Sequence, residues 1–216
     1  MMILAIDTSA AASAALTRDG EVLERFASTD TRSHAEVLAP AVQELLARAG
    51  LPGTDLDALV VGVGPGPFTG LRAGIATARM LAFVWDVPLH GVMSLDAVAL
   101  EAGHAEGEFA VATDARRKEV YWARYRAASP SPELLDGPHV GPAENVPDVP
   151  VYGRGAGLYA DRLAGRVHAG ELTPDAAALS AVAYRTLSGG GALRDTTPLY
   201  LRESDAKVPG PRKKAL

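Results

Sequence analysis

The chain has 216 residues, of which 48% are apolar, carries a net charge of −5 and contains no cysteine. This is enough apolar material for one large or two small domains, and the lack of cysteine excludes disulfide frameworks, thiolate nucleophiles and thiolate zinc sites. An acidic body is a poor polyanion binder, no apolar run approaches the roughly 18 residues of a membrane span, and Met1 to Asp7 reaches an acid too early for a signal peptide, so a cytoplasmic location is expected.

Ile3 to Asp7 is a short apolar run, and Ser13 to Thr17 and Val22 to Phe26 flank the turn Arg18-Asp19-Gly20, so the chain opens as a meander of strands. A helix is predicted from about Ser33 to Ala49. Ser33 and Glu36 are spaced as a capping box, Pro40 should bend the helix near its start, and Gly50 is placed to end it. Val37, Leu38, Ala41, Val42, Leu45, Leu46 and Ala49 form its apolar stripe. Leu59 to Val63 reads as a buried strand, Gly64 to Thr69 as a loop, Gly70 to Trp85 as a second helix and Leu89 to Val92 as another strand, for an order βββαβαβ.

After the small, polar stretch Gly103 to Gly107 the same grammar restarts. Phe109 to Thr113 runs into Asp114 as Ile3 to Ile6 runs into Asp7, and Val120 to Tyr125 is the hairpin partner that Ser13 to Thr17 is in the first half. Ala127 to Pro150 is so rich in proline that an irregular excursion is expected there. Tyr152 to Gly157, a helix near Leu158 to Leu163 and a helix near Pro174 to Leu187 complete a shortened second half. The expected division is 1–103, 104–205 and a basic tail over 206–216, where Pro209-Gly210-Pro211 favours a solvated end over an RNA contact. Two such α/β halves in tandem are the layout of the actin, Hsp70 and sugar kinase superfamily, the actin-like ATPase (ASKHA) fold, whose members hold ATP between the halves; the fold does not itself give function.

The Gly- and Pro-rich segment Gly64 to Gly74 leads from a strand into a helix, and either a rigid turn or an anion cradle of backbone amides accounts for it. It is no Walker A loop, because no Gly-Lys-Ser/Thr follows. Gly70, Gly74, Ala78 and Ala82 fall every fourth residue and make a smooth strip along the second helix. That helix is apolar nearly all round, which fits either a fully internal helix or one whose outer face docks on a partner together with the stripe of the first helix. The expected partner-binding residues are therefore Val37, Leu38, Ala41, Leu45, Gly70, Gly74, Ala78 and Ala82. Actin-like ATPases place glycines in both phosphate-gripping hairpins, whereas Asp7-Thr8-Ser9-Ala10 and Asp114-Ala115-Arg116-Arg117 have none. Asp7, Thr8, Ser9 and Asp114 are thus candidates for a vestigial nucleotide site, with water-mediated magnesium binding and a plain hairpin role both open. The five histidines include no close pair at ligand spacing, so neither a metal site nor a catalytic residue is nominated.

Several of these segments together resemble the TsaB (YeaZ) family: Ile3-Leu4-Ala5-Ile6-Asp7-Thr8-Ser9; Ser33-His34-Ala35-Glu36 with Leu38 and Pro40; Gly64 to Leu81; Asp114-Ala115-Arg116 followed by Glu119-Val120-Tyr121-Trp122; and Pro198-Leu199-Tyr200-Leu201-Arg202. The resemblance covers most of the chain apart from the excursion and the tail. It implies a non-catalytic subunit of the bacterial complex that transfers a threonylcarbamoyl group to adenosine beside the anticodon of tRNA. The implied partners are a TsaD-like paralogue bearing the catalytic site and a TsaE-like ATPase. ATP and metal are then expected on those partners, no cofactor is expected to bind this chain tightly, tRNA is engaged only through the complex, and the chain forms a homodimer when alone. TsaD-like sequences carry a metal-binding His-x-x-x-His helix after the strand matching Pro88 to Val92; the matching positions here are Ser94 and Val98, and a valine cannot ligate a metal. The competing readings are an active actin-like ATPase or kinase using Asp7 and Asp114, and a glycoprotease-like peptidase, although Ser9, Ser33 and Ser94 lie in no Gly-x-Ser-x-Gly elbow.

Overall fold

Strand β1 (Met2–Asp7) is buried along its whole length, and the two-residue alternation of its side chains decides what covers each of its faces. The computed structural model describes residues 1–29, 34–103 and 106–202. β1 lies at the centre of a five-stranded sheet with β2 (Ser13–Arg18), β3 (Glu21–Ala27), β4 (Ala58–Gly62) and β5 (Leu89–Val92), in the order β3-β2-β1-β4-β5. The first three strands are antiparallel and the last two join in parallel. Leu4 and Ile6 face one side, where Leu38, Val42, Leu45 and Leu46 of helix α1 (His34–Ala49) and Leu71, Ile75 and Ala78 of helix α2 (Phe68–Trp85) close the core. Ser33, and with it the expected capping box, lies outside the described residues. At the other end of α1 the chain turns at Gly50, where Leu51 N–H returns to Leu46 O.

The second sheet repeats the plan with β6 (Glu108–Asp114), β7 (Glu119–Arg126), β8 (Glu133–Pro142) and β9 (Val151–Tyr152), ordered β8-β7-β6-β9. Again three strands are antiparallel and the fourth is parallel. This is the actin-like α/β layout expected from the sequence, shortened in its second half. One correction concerns the proline-rich excursion, which contains the ten-residue strand β8. Pro138 and Pro142 are tolerated because β8 is an edge strand and needs only one side of its backbone for pairing. A second concerns the helix expected near Leu158 to Leu163: helix α4 spans Arg154–Leu158 and a 3-10 turn follows at Ala160–Arg162.

Helix α3 (Ser94–Glu101) is not among the expected elements, because Leu95, Ala97, Val98 and Ala99 are buried on nearly all sides and leave no amphipathic stripe to read. It packs on Phe109, Val111, Ala123 and Tyr125 of the second sheet. Helix α5 (Ala176–Ser188), expected to complete the second half, instead covers the free face of the first sheet. There Leu179, Val182 and Ala183 meet Ile3, Ala5, Ala15 and Val60. Ser13 Oγ accepts from Ala176 N–H at 3.1 Å, and the Thr17 and Ser180 hydroxyls bond at 2.6 Å. The layers are thus α1/α2, first sheet, α5/α3, second sheet, α4, with the two inner helices exchanged between the halves.

One polar contact crosses this centre. Tyr125 Oη donates to Asp96 Oδ1 at 2.8 Å. Burial raises the Asp96 carboxyl to about 6, against the smaller lowering effects of Tyr125 and of the nearby Arg194. Below the unfolded carboxylate value Asp96 is protonated in both states. As pH rises from there to about 6, the unfolded chain loses its proton first, so this residue's contribution falls, by up to about 3 kcal/mol. Chemical denaturation of wild type and Asp96→Asn across that range should show the wild type losing stability relative to the variant as pH rises. Parallel curves would disprove the assignment.

Candidate functional site

Asp7 ends β1 in complete burial. Its Oδ1 accepts from Ser9 N–H at 2.8 Å and Ser9 Oγ at 2.6 Å, and its Oδ2 accepts from Ser94 Oγ at 2.6 Å. Burial raises its pKa, and the hydroxyl and amide donors oppose that rise. Ser94 is thus a buried partner of Asp7, and Val98 belongs to the core under the second sheet. Ser94 is fully buried and Ser9 nearly so, and both hydroxyls donate to the Asp7 carboxylate.

At the corresponding end of β6, Asp114 Oδ1 accepts from Arg116 N–H at 2.8 Å and Tyr159 Oη at 3.2 Å, and Oδ2 pairs with Arg116 Nη1 at 3.4 Å. The turn itself runs through three consecutive left-handed residues, Arg116, Arg117 and Lys118, at φ of 61°, 55° and 63°. Each costs about 1–2 kcal/mol in a non-glycine residue. The turn is closed by Ala115 N–H to Glu119 O and Glu119 N–H to Arg116 O, and braced by Arg162 Nη1 donating to Lys118 O at 2.8 Å. Between the two turns lies a cleft of about 460 Å³ whose lining includes Ser9, Thr29, Thr113, Asp114, Arg116, Arg154 and Thr173. An ATP-gripping pair of hairpins needs free amides at these turns. The Ser9, Ala115, Arg116 and Glu119 amides are instead consumed internally. Of the four residues expected at a vestigial nucleotide site, Ser9 and Asp114 line this cleft, whereas Asp7 and Thr8 are fully buried and do not.

Thr8 explains the glycines of α2. Its Oγ1 donates to Gly70 O at 2.8 Å, and a Cβ at Gly74 would lie 2.2 Å from that oxygen. The smooth strip therefore does receive a close neighbour, but the neighbour is the chain's own β1–β2 turn. Gly70, Gly74, Ala78 and Ala82 are all buried, as are Leu38, Ala41 and Leu45, and Val37 packs partly buried against the same core. Seven of these eight expected docking residues are interior and Val37 is half-buried, which corrects their assignment to an open surface. Gly74→Ala should lower stability by about 1–2 kcal/mol, because Thr8 must move and lose its bond, and Thr8→Ala in the same chain should recover part of the loss. Thermal melts of the single and double variants check this.

The exposed face of α2 is a different one. Phe83 is 84%, Val84 66% and Met80 62% exposed, with Ala76 on the same side. Helical spacing at 76, 80, 83 and 84 makes these one contiguous apolar patch. At the helix start, Phe68 stacks on Tyr200 with ring centroids 4.6 Å apart while the Arg72 guanidinium sits 3.7 Å from the Phe68 centroid, and Arg79 is bound to Thr196. A C-terminal strap thus borders the patch without covering it. The sequence shows these residues to be apolar but not which side of the helix faces out. Arg154 is absent from the expected site residues altogether, although an arginine between two glycines, in Gly153-Arg154-Gly155, is a usable signal.

Among the described residues no group of three or more His, Asp or Glu side chains could hold a metal ion. His139 bonds Asp136 and packs on Trp122, and His168 stacks on Tyr152. No described helix is long and apolar enough to cross a membrane. The family model described as TsaD, tRNA N6-adenosine threonylcarbamoyltransferase, matches residues 21–140. The chain is 42% identical over 212 residues to an uncharacterized protein of Mycobacterium tuberculosis, covering 95% of this chain and 93% of that one. It is 44% identical over 129 residues to the tRNA threonylcarbamoyladenosine biosynthesis protein TsaB of Escherichia coli, an alignment that spans 58% of this chain and about half, 55%, of that protein. The solved structure of YeaZ from Pseudomonas aeruginosa superposes with a TM-score of 0.81 at 32% identity, over 93% of this chain and all of that one. By this likeness, which spans nearly the whole of both chains, the chain belongs to the TsaB (YeaZ) family.

Proposed function

We propose that this chain is a non-catalytic, cytoplasmic subunit of the machinery that makes threonylcarbamoyladenosine in tRNA, and that it works by binding a TsaD-like paralogue through the exposed face of α2. The observation that carries this reading is the Met80, Phe83 and Val84 patch, an apolar surface on a helix whose opposite side already fills the core. The pathway comes from its relatives in Escherichia coli and Bacillus subtilis, both tRNA threonylcarbamoyladenosine biosynthesis proteins. The bonded Ser9, Ala115 and Arg116 amides argue against the alternative of an ATPase or kinase, and the burial of Ser9 and Ser94 out of reach of a substrate argues against a peptidase. ATP and metal then belong to the TsaD-like and TsaE-like partners, and the same patch serves a homodimer when the chain is alone. The test is co-purification of this chain with the TsaD-like protein of the same organism, followed by tRNA modification assays with each subunit omitted. Turnover of ATP by the isolated chain, or modification that proceeds without it, would overturn the proposal.

A further inference from the structure

The cleft between the halves has several of its turn amides already bonded, and its described lining is not electrostatically neutral. Among the described residues its lining holds two arginines and one acid, Asp114, whose carboxylate is already taken by Arg116 and Tyr159. Arg154 has no side-chain hydrogen bond or ion pair among the described residues and is exposed. Its backbone, by contrast, is tightly fixed. Arg154 N–H donates to Leu172 O at 2.7 Å, Gly153 adopts φ +103°, and a Cβ at Gly155 would lie 2.6 Å from the Thr113 carbonyl carbon. Only glycines let this loop sit so close to the end of β6, and that placement delivers the Arg154 guanidinium to the cleft. Arg116, at the start of the braced, strained turn Arg116-Arg117-Lys118, lines the same cleft. With Arg116 held against Asp114, Arg154 leaves the described lining of the cleft with one cation in excess, on a protein whose net charge is −5.

We propose that Arg154 and Arg116 grip a phosphodiester of the tRNA backbone at the mouth of this cleft, with the Thr29 and Thr173 hydroxyls as additional donors. The proposal rests on the role in tRNA modification given above. A backbone phosphate suits the site better than a free nucleotide does. The exposed Arg154 guanidinium can meet a phosphate passing outside, whereas the Ser9 and Arg116 amides at the two turns are occupied. Binding to the backbone alone positions RNA without reading its sequence.

The experiment measures binding of an unmodified tRNA transcript to the complex of this chain with its TsaD-like partner over a series of salt concentrations. Arg154→Ala and Arg116→Ala should each weaken binding roughly three- to tenfold and make the plot of log K against log salt shallower by roughly 0.7–0.9 for each phosphate that is no longer neutralised, and Arg154→Lys should retain much of both effects of the arginine. Arg48→Ala, which removes the same charge from α1 where Arg48 pairs with Glu44, should change neither. Unchanged affinity and slope in Arg154→Ala overturn the proposal. So does saturable ATP binding by the isolated chain that Arg154→Ala abolishes, since the cleft would then be a nucleotide site. Size-exclusion chromatography of each variant complex separates weakened RNA binding from failed assembly. If even the wild-type chain does not assemble with the partner, the proposed function fails, and the same variants measured on the isolated chain with the same transcript at low salt still decide whether the two arginines hold a phosphate.

Discussion

A chain carrying Met80→Glu and Phe83→Asp is expected to fold as the wild type does and to lose its TsaD-like partner. Both side chains are mostly in solvent already, so the substitutions remove little internal packing, and surface changes of this kind stay within about 0.5 kcal/mol. In a complex the same positions would be desolvated, and apolar anchors at the centre of an interface are worth about 2–4 kcal/mol each, or roughly 30- to 1,000-fold in Kd. Placing two carboxylates there adds the cost of burying charge against an apolar partner. The expected result is native circular dichroism, a melting temperature within a few degrees of wild type, no co-purification and no tRNA modification. Normal binding by this variant would move the interface elsewhere on the molecule.

Ala78→Arg should behave in the opposite way and unfold or severely destabilise the chain. Ala78 has no exposure and packs among Leu71, Ile75 and Leu38 under the first sheet. A guanidinium there has neither room nor a counter-charge, and leaving a buried charge unpaired costs about 3–5 kcal/mol before the overpacking is added. Against a typical total stability of about 5–15 kcal/mol this corresponds to a melting temperature lower by roughly 10–20 °C, or to no cooperative transition at all. Differential scanning calorimetry distinguishes it from the Met80→Glu/Phe83→Asp chain, and a folded, well-behaved Ala78→Arg protein would contradict the internal position of the strip.

The contrast between these two variants shows which information the sequence holds. Four-residue spacing of Gly70, Gly74, Ala78 and Ala82 correctly signals that something approaches α2 closely, because only small side chains permit it. What approaches is Thr8, far away along the chain, and no local pattern encodes that. In a helix apolar on every side the period no longer distinguishes inside from outside, so the pattern places Met80 and Phe83 in the core as readily as Ala78. The strands ending in Asp7 and Asp114 are legible because an apolar run broken by a carboxylate and followed by a hairpin partner is a local signal. Strand β8 is obscured by prolines that an edge position tolerates. The cleft is legible only as two matching aspartates; that their carboxylates are spent on Ser9, Ser94, Arg116 and Tyr159 depends on side-chain geometry.

The exchange of α3 and α5 between the halves sets a schedule for biosynthesis. When residues 1–103 have been made, Ile3, Ala5, Ala15 and Val60 form an apolar sheet face that only Ala97 and Leu100 of α3 can reach, since Leu179 and Val182 are encoded more than 70 residues later. At about 5–20 residues per second that face waits several seconds for its lid. The amino-terminal half therefore cannot reach its final state as an autonomous unit on the ribosome, and a message truncated before codon 176 would release a sticky sheet instead of a half-protein.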